Sequence, residues 1–190
     1  MPKATVCRYS TLFAQALNGD TVQARTLTIR LPLEEPNVWR RISHWMNTQE
    51  IEGGVGMTNA MVLWERGDLY NIPELQNNVV AIVRTLALTT KRVRDLWFLA
   101  LFAYREPNNP RRQVLQRLAA DRFSVMPYWT RHNFIDRLRT MASSEVFLAI
   151  DTAVNFNLRQ ETLETRTLGP LMKMIPVQKY YVDVPRNAGA

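Results

Sequence analysis

Nine consecutive apolar residues, Leu96 to Tyr104 (LWFLALFAY), bracketed by Arg94 and Arg105, constrain this chain more than any other stretch. Val93, Leu96, Trp97, Ala100, Leu101 and Tyr104 recur at helical spacing, and Phe98, Leu99 and Phe102 make the other faces apolar as well. A helix that is apolar all round belongs inside a protein core or a bilayer. A bilayer span needs about 20 apolar residues, more than this segment supplies, so it is expected to be the central core helix of a helical domain. With 46% of 190 residues hydrophobic, the chain has enough apolar side chain to build that core, which excludes a disordered polyelectrolyte.

Proline, glycine and capping residues place further helices around it. Glu34, Glu35 and Pro36 make a helix start, with acids at the positive end of the dipole and proline in the first turn, and Val38, Ile42, Trp45 and Met46 follow at helical spacing. Thr58 caps a short helix to Trp64, and Pro73 opens one whose Leu75, Val79, Ile82, Val83 and Leu86 share a face. Beyond the loop Glu106 to Pro110, a helix from Arg111 to Phe123 buries Val114, Leu115, Leu118 and Ala119, with Gln113, Gln116 and Arg117 facing away. Thr130 is expected to cap a helix that carries Phe134, Leu138 and Met141 at helical spacing, and Ser143 or Ser144 to cap another through Val146, Ile150, Ala153 and Val154. The glycine-dense Ile51 to Met57 lacks the lysine and hydroxyl residue of a phosphate loop and reads as a flexible connection. Near the N-terminus Thr21 to Leu31 alternates through Leu27, Ile29 and Leu31 and is expected to be a strand stopped by Pro32. The fold class expected is mainly α: an N-terminal arm with a short β element over 1–34, a compact helical core over 35–167, and an extended C-terminal arm over 168–190. Cys7 is the single cysteine, and the first ten residues lack the apolar stretch of a secretory signal, which points to a reducing compartment.

The charge is unevenly placed. The formal net charge is +7, made with 20 arginines and only 4 lysines. Between Arg84 and Arg139 there are 12 basic and four acidic groups, a net of +8, whereas the rest of the chain carries 12 basic against 13 acidic groups. The guanidinium forks onto phosphates and also suits buried ion pairs. Such a segment is an electrostatic footprint for a polyanion, with a solvated charged face as the plain alternative. The candidate RNA contacts are Arg92, Arg94, Arg105, Arg111, Arg112, Arg117, Arg122 and Arg131; of these Arg105, Arg111 and Arg112 stand near a helix N-terminus, a combination suited to an anion. Asp151 falls at the margin of an apolar helix face, where a carboxylate requires a partner, and Arg131 or Arg137 is expected to supply it.

Catalytic patterns are missing. His44 and His132 have no second histidine or cysteine at metal-ligand spacing, so neither a metal site nor a cofactor is expected. No HExxH, GxSxG or CxxC occurs, and the pair Glu34-Glu35 fits helix-start charge better than a catalytic dyad. An enzyme is not expected.

Two short segments carry a family resemblance. Trp129-Thr-Arg131-His-Asn-Phe134-Ile-Asp136-Arg137-Leu138 resembles the aromatic-x-Arg-x-x-Phe motif of coat proteins of rod-shaped plant RNA viruses, most of all the benyvirus type. Phe147-Leu-Ala-Ile150-Asp151 is similar to the Phe-Ala-x-Phe-Asp box of filamentous plant virus coat proteins, in which an Arg-Asp pair lies in the helical core. The resemblance spans about 25 residues. It implies an α-rich coat or nucleocapsid subunit of a helical particle, without enzymatic activity, found in the virion and the host cytoplasm. Such a subunit binds single-stranded RNA without sequence specificity and polymerises with its own copies through N- and C-terminal arms. The rival readings are a matrix or scaffold protein on acidic membrane or protein surfaces, which the scarcity of lysine disfavours, and a small nucleic-acid-processing enzyme. No membrane partner is expected.

Overall fold

The computed structural model describes residues 1–31, 34–90 and 92–164, and these are helical, with no strand among the described residues. The expected C-terminal arm, 168–190, lies outside the described residues. The chain divides into two compact units, one reaching from Met1 to Val79 and the other starting at Val80, so the boundary falls within a helix.

The first unit holds α1 (Lys3–Tyr9), α2 (Thr11–Asn18), α3 (Val22–Thr26), α4 (Pro36–Thr48), α5 (Met57–Leu69) and the beginning of α6 (Pro73–Thr89). Residues 3–18, expected to be an arm with one weak helical turn over Ser10 to Leu17, are helical on both sides of Ser10 and bury Val6, Phe13 and Leu17. The pivot is Ser10, which is fully buried. Its hydroxyl caps α2 by accepting from the Phe13 amide at 3.1 Å and donates to the Tyr70 carbonyl at the end of α5, 60 residues away. Phe13, Trp39 and Tyr70 then stack in a triangle with ring centroids 5.1 to 5.9 Å apart. Ile42, Trp45 and Met46 of α4 face inward as their spacing predicts, together with Ala60, Met61, Leu63 and Trp64 of α5. Gly67, expected with Asp68 to end this helix, lies within α5 instead, and a Cβ there would sit 2.8 Å from Gln76 Cγ, inside contact distance.

The expected strand over Thr21 to Leu31 does not form. Thr21 instead caps α3, accepting from the Ala24 amide at 3.0 Å while donating to the Ala16 carbonyl at 2.6 Å, and Leu27 ends the helix in the left-handed region at φ 49°. A strand gains its hydrogen bonds only from a neighbouring strand, and none is present among the described residues. The local cap satisfies the backbone more directly, and it leaves Val22 and Leu27 exposed.

Glu34 is the second tie in this unit. Its side chain is only 5% exposed and lies 2.9 Å from Arg66 Nε of α5, and it also accepts a hydrogen bond from the Tyr70 hydroxyl. The carboxylate's hydrogen bond holds the Arg66 guanidinium above its ordinary value, and burial followed by that same carboxylate pushes the Tyr70 phenol up. Glu34 therefore serves as a buried anchor for the chain entering α4, a role that helix-start charge alone does not predict.

The second unit comprises the rest of α6, then α7 (Val93–Tyr104), a 3-10 turn (Pro110–Arg112), α8 (Gln113–Ser124), α9 (Tyr128–Met141) and α10 (Ser144–Glu164). Leu96, Leu99, Ala100, Ala103 and Tyr104 of α7 are buried, alongside Leu115, Leu118, Ala119 and Phe123 of α8, Phe134 and Leu138 of α9, and Ile150 and Val154 of α10. Phe123 and Phe134 meet with centroids 4.5 Å apart, and Trp97 meets Phe134 edge-on at 6.1 Å. The expectation that α7 is enclosed on all sides is corrected: Val93 is 41% and Phe98 43% exposed. Among the described residues no helix is long and apolar enough to cross a membrane.

Ser10→Ala removes both a cap and a long-range hydrogen bond while leaving the Tyr70 carbonyl buried. It is expected to lower stability by about 1–3 kcal/mol in urea unfolding, whereas the exposed Thr28→Ala should stay within about 0.5 kcal/mol.

Candidate nucleic-acid interface

The eight arginines expected to contact RNA fall into two groups. Arg112, Arg122 and Arg131 turn inward onto backbone carbonyls at helix ends. Arg112 is 5% exposed; its Nη1 donates to the Phe102 carbonyl in the last turn of α7 at 2.7 Å, and its guanidinium carbon stands 4.6 Å from the centre of the Phe102 ring. Arg122 Nε donates to the Ala87 carbonyl in the last turn of α6 at 2.5 Å, and burial presses its guanidinium down from the ordinary value. Arg131 Nη1 donates to the carbonyl of Ser124, the last residue of α8, at 2.9 Å. The last four carbonyls of a helix lack intrahelical partners and carry the negative end of its dipole, so a cation there gains twice. These three side chains close helix ends.

The other five, Arg92, Arg94, Arg105, Arg111 and Arg117, have exposed side chains, as do Arg137 and Arg139. Arg92 and Arg94 flank the start of α7 and Arg105 follows its end. Arg137 reaches across from α9 to stand 5.8 Å from the Trp97 ring of α7. Arg117 borders a groove of about 850 Å³ between α8 and α10, where Asp121 and Glu145 lie beside exposed Leu148 and Phe156; two carboxylates there oppose a polyanion.

The anion site expected around Arg105, Arg111 and Arg112 already holds an anion, the chain's own Glu106. Its carboxylate accepts from Asn109 Nδ2 at 2.8 Å and lies 3.4 Å from Arg105 and 3.7 Å from Arg112. Asn109 first, and then Arg112, hold the Glu106 carboxyl below its ordinary value. Its contribution is thus complete above the ordinary pKa and is lost as pH falls through the lower folded value. Gln116, expected to face away, secures the same loop by donating to the Ala103 and Pro107 carbonyls at 3.2 and 3.0 Å. Tyr104 helps from below, its hydroxyl donating to the Gln116 carbonyl at 3.2 Å, and burial raises its phenol above the ordinary value.

The expected ion pair of Asp151 is not formed. Asp151 accepts from Asn155 Nδ2 at 3.0 Å, one turn along α10, while Arg131 is engaged at Ser124 and Arg137 at Trp97. Asp151 is half-exposed, so its carboxylate is not buried away from solvent. The surface line His132, Asp136 and Arg139 is present as its spacing predicts, with contacts of 3.3 and 3.8 Å. Among the described residues no cluster of three metal-ligating side chains occurs.

Comparison with protein-family models, curated proteins and solved structures finds no match to this chain.

The division of the arginines has a measurable consequence. Arg112→Met and Arg122→Met should each destabilise the protein by about 1.5–3 kcal/mol, the range for hydrogen bonds made by charged groups, whereas Arg92→Gln and Arg94→Gln should stay within about 0.5 kcal/mol. Asp151→Ala should cost under about 1 kcal/mol. Thermal or urea unfolding of the five variants reads all of these; a larger loss at Asp151 would show that its carboxylate has a partner beyond Asn155.

Proposed function

We propose that this protein is a structural, non-catalytic coat or nucleocapsid subunit that binds single-stranded RNA without sequence specificity and assembles with its own copies into a helical particle. The observation that carries the reading is the set of exposed arginines in 84–139, seven in all, four of them (Arg92, Arg94, Arg105 and Arg137) at or against α7. Exposed guanidinium groups on a helical scaffold suit phosphate neutralisation, and phosphate contacts hold a strand without reading its bases. The coat-protein resemblance of 129–138 supports the same class.

The RNA contacts in this reading are Arg92, Arg94, Arg111 and Arg137, since Arg105 faces Glu106 and Arg117 borders a groove that holds two carboxylates. Arg112, Arg122 and Arg131 support them indirectly by closing the helices on which the others stand. Self-assembly rests on the terminal segments, and the apolar residues Leu171, Met172, Ile175, Tyr180 and Tyr181 of 168–190 motivate that part.

With about three to five phosphates neutralised per subunit, log affinity for single-stranded RNA should fall with log salt at a slope of roughly −2 to −3.5. A slope near zero would remove the electrostatic basis of the proposal. Joint replacement of Arg92, Arg94 and Arg111 by Gln should flatten the slope by about two units. Replacing Arg40, which pairs with Glu52 at 2.9 Å, should leave it unchanged. Negative-stain microscopy of nuclease-treated protein with and without added RNA tests assembly. Filaments with RNA are expected, and a permanently monomeric protein would refute the coat role.

A further inference from the structure

Leu148 and Phe156 of α10 are 64% and 61% exposed, the highest values for a large apolar side chain among the described residues of 80–164. With Thr152 midway between them they form one line on the helix, and at 1.5 Å per residue they stand about 12 Å apart along its axis. Ile150 and Val154, each two residues from one of them, are buried on the opposite side. α10 therefore carries apolar residues on two faces, of which only one is turned to the core of residues 80–164.

The outer face belongs to the groove of about 850 Å³ between α8 and α10. Small side chains, Ala120 of α8 with Ala149 and Ala153 of α10, leave its recess, and the exposed Leu148 and Phe156 rise beside it. Ridge and recess thus lie on one surface. Charges of both signs border it, Arg117 and Asp121 from α8 and Glu145 from α10. Arg117 and Glu145 are exposed, and neither forms an ion pair among the described residues.

We infer that this groove is a contact surface for a second copy of the chain, related by a two-fold axis, with Phe156 of each copy entering the recess of the other and Arg117 of each meeting Glu145 of the other. A two-fold contact requires a surface that complements itself, because every contact is made twice. A face with both ridge and recess, and with a cation and a carboxylate that have no ion-pair partner among the described residues, meets that requirement in shape and in charge. A polyanion or an anionic bilayer would have to lie against Asp121 and Glu145, which disfavours both as occupants. Withdrawing two Phe156 rings and two Leu148 side chains from water supplies the driving force. The contact needs neither RNA nor the terminal segments, so it goes beyond the coat reading.

The test is sedimentation equilibrium of the full chain, nuclease-treated and without RNA, which should show monomer and dimer in reversible exchange. Phe156→Ser should weaken association by on the order of thirtyfold or more, the scale of one aromatic anchor lost from an interface. Arg117→Glu and Glu145→Arg should each weaken it when alone, because like charges then face each other at both contacts. Mixed in equal amounts, these two variants should dimerise again, since every cation then meets a carboxylate across the axis. That rescue reads contacts between copies, which a change within one fold would not produce, and circular dichroism checks that each variant is folded. A wild-type monomer, dimers that survive Phe156→Ser, or charge variants that fail to rescue each other would overturn the inference, and the first of these would assign the groove to a segment of the same chain or to a different protein. Filaments formed with RNA by a protein that is monomeric without it would leave the coat reading standing, whereas dimers without filaments would support this inference alone.

Discussion

The carbonyl oxygens at the end of an α-helix have no partner within it, and among the described residues of 80–164 arginine supplies that partner at Ala87, Phe102 and Ser124. Arg122 of α8 closes α6 at Ala87, Arg112 closes α7 at Phe102, and Arg131 of α9 closes α8 at Ser124. Each bond joins the end of one helix to a side chain from a later segment, so helix termination and tertiary packing are satisfied by the same atoms. Several planar N–H donors on a long apolar stem let guanidinium reach a half-buried carbonyl while its stem packs on apolar neighbours. An ammonium, more strongly hydrated, would lose more on entering such a site. Part of the excess of arginine over lysine in this chain thus has a structural origin.

Committing three cations to helix ends changes what the remaining ones do. Arg112 is almost wholly withdrawn from solvent and Glu106 lies against Arg105 and Arg112, which leaves Arg92 and Arg94 at the start of α7 and Arg137 and Arg139 near the end of α9 facing water, along with Arg111 and Arg117. The apolar cover of α7 is incomplete as well. The inward side of α7 carries Leu96, Leu99, Ala100 and Ala103, and its outward side carries Phe98 between Arg94 and Arg105. One helix thereby supplies both the centre of a core and an exposed side that carries Arg94 and Phe98. The stability of the first role holds the second in place.

The residues 1–79 rely on different chemistry. Their long-range ties include a buried serine and a buried glutamate, both directed at the end of α5, where the Tyr70 carbonyl accepts from Ser10 and the Tyr70 hydroxyl donates to Glu34. Each of these polar groups is buried with its partner, which is the condition under which burial is tolerated. Tyr70 also joins Phe13 and Trp39 in the aromatic triangle.

By itself the sequence determined the helical class and most helix faces. The stripes of α4, α6 and α8 follow from spacing and caps, signals carried by neighbouring residues in the chain. The same holds for the surface line of His132, Asp136 and Arg139, which needs only one helix turn. Tertiary structure alone decided the rest. The alternation in Thr21 to Leu31 had no strand to pair with, so a local threonine cap prevailed. The uniform apolarity of α7 concealed an open side, because which face is covered depends on neighbours distant in sequence. Net charge located a basic segment and could not tell Arg112 from Arg111, adjacent residues of which one is buried on a carbonyl and the other exposed. Asp151 met Asn155 on its own helix in place of an arginine for the same reason. Charge and hydropathy are properties of a residue, whereas a partner is a property of the space around it, and that space exists only once the chain has folded.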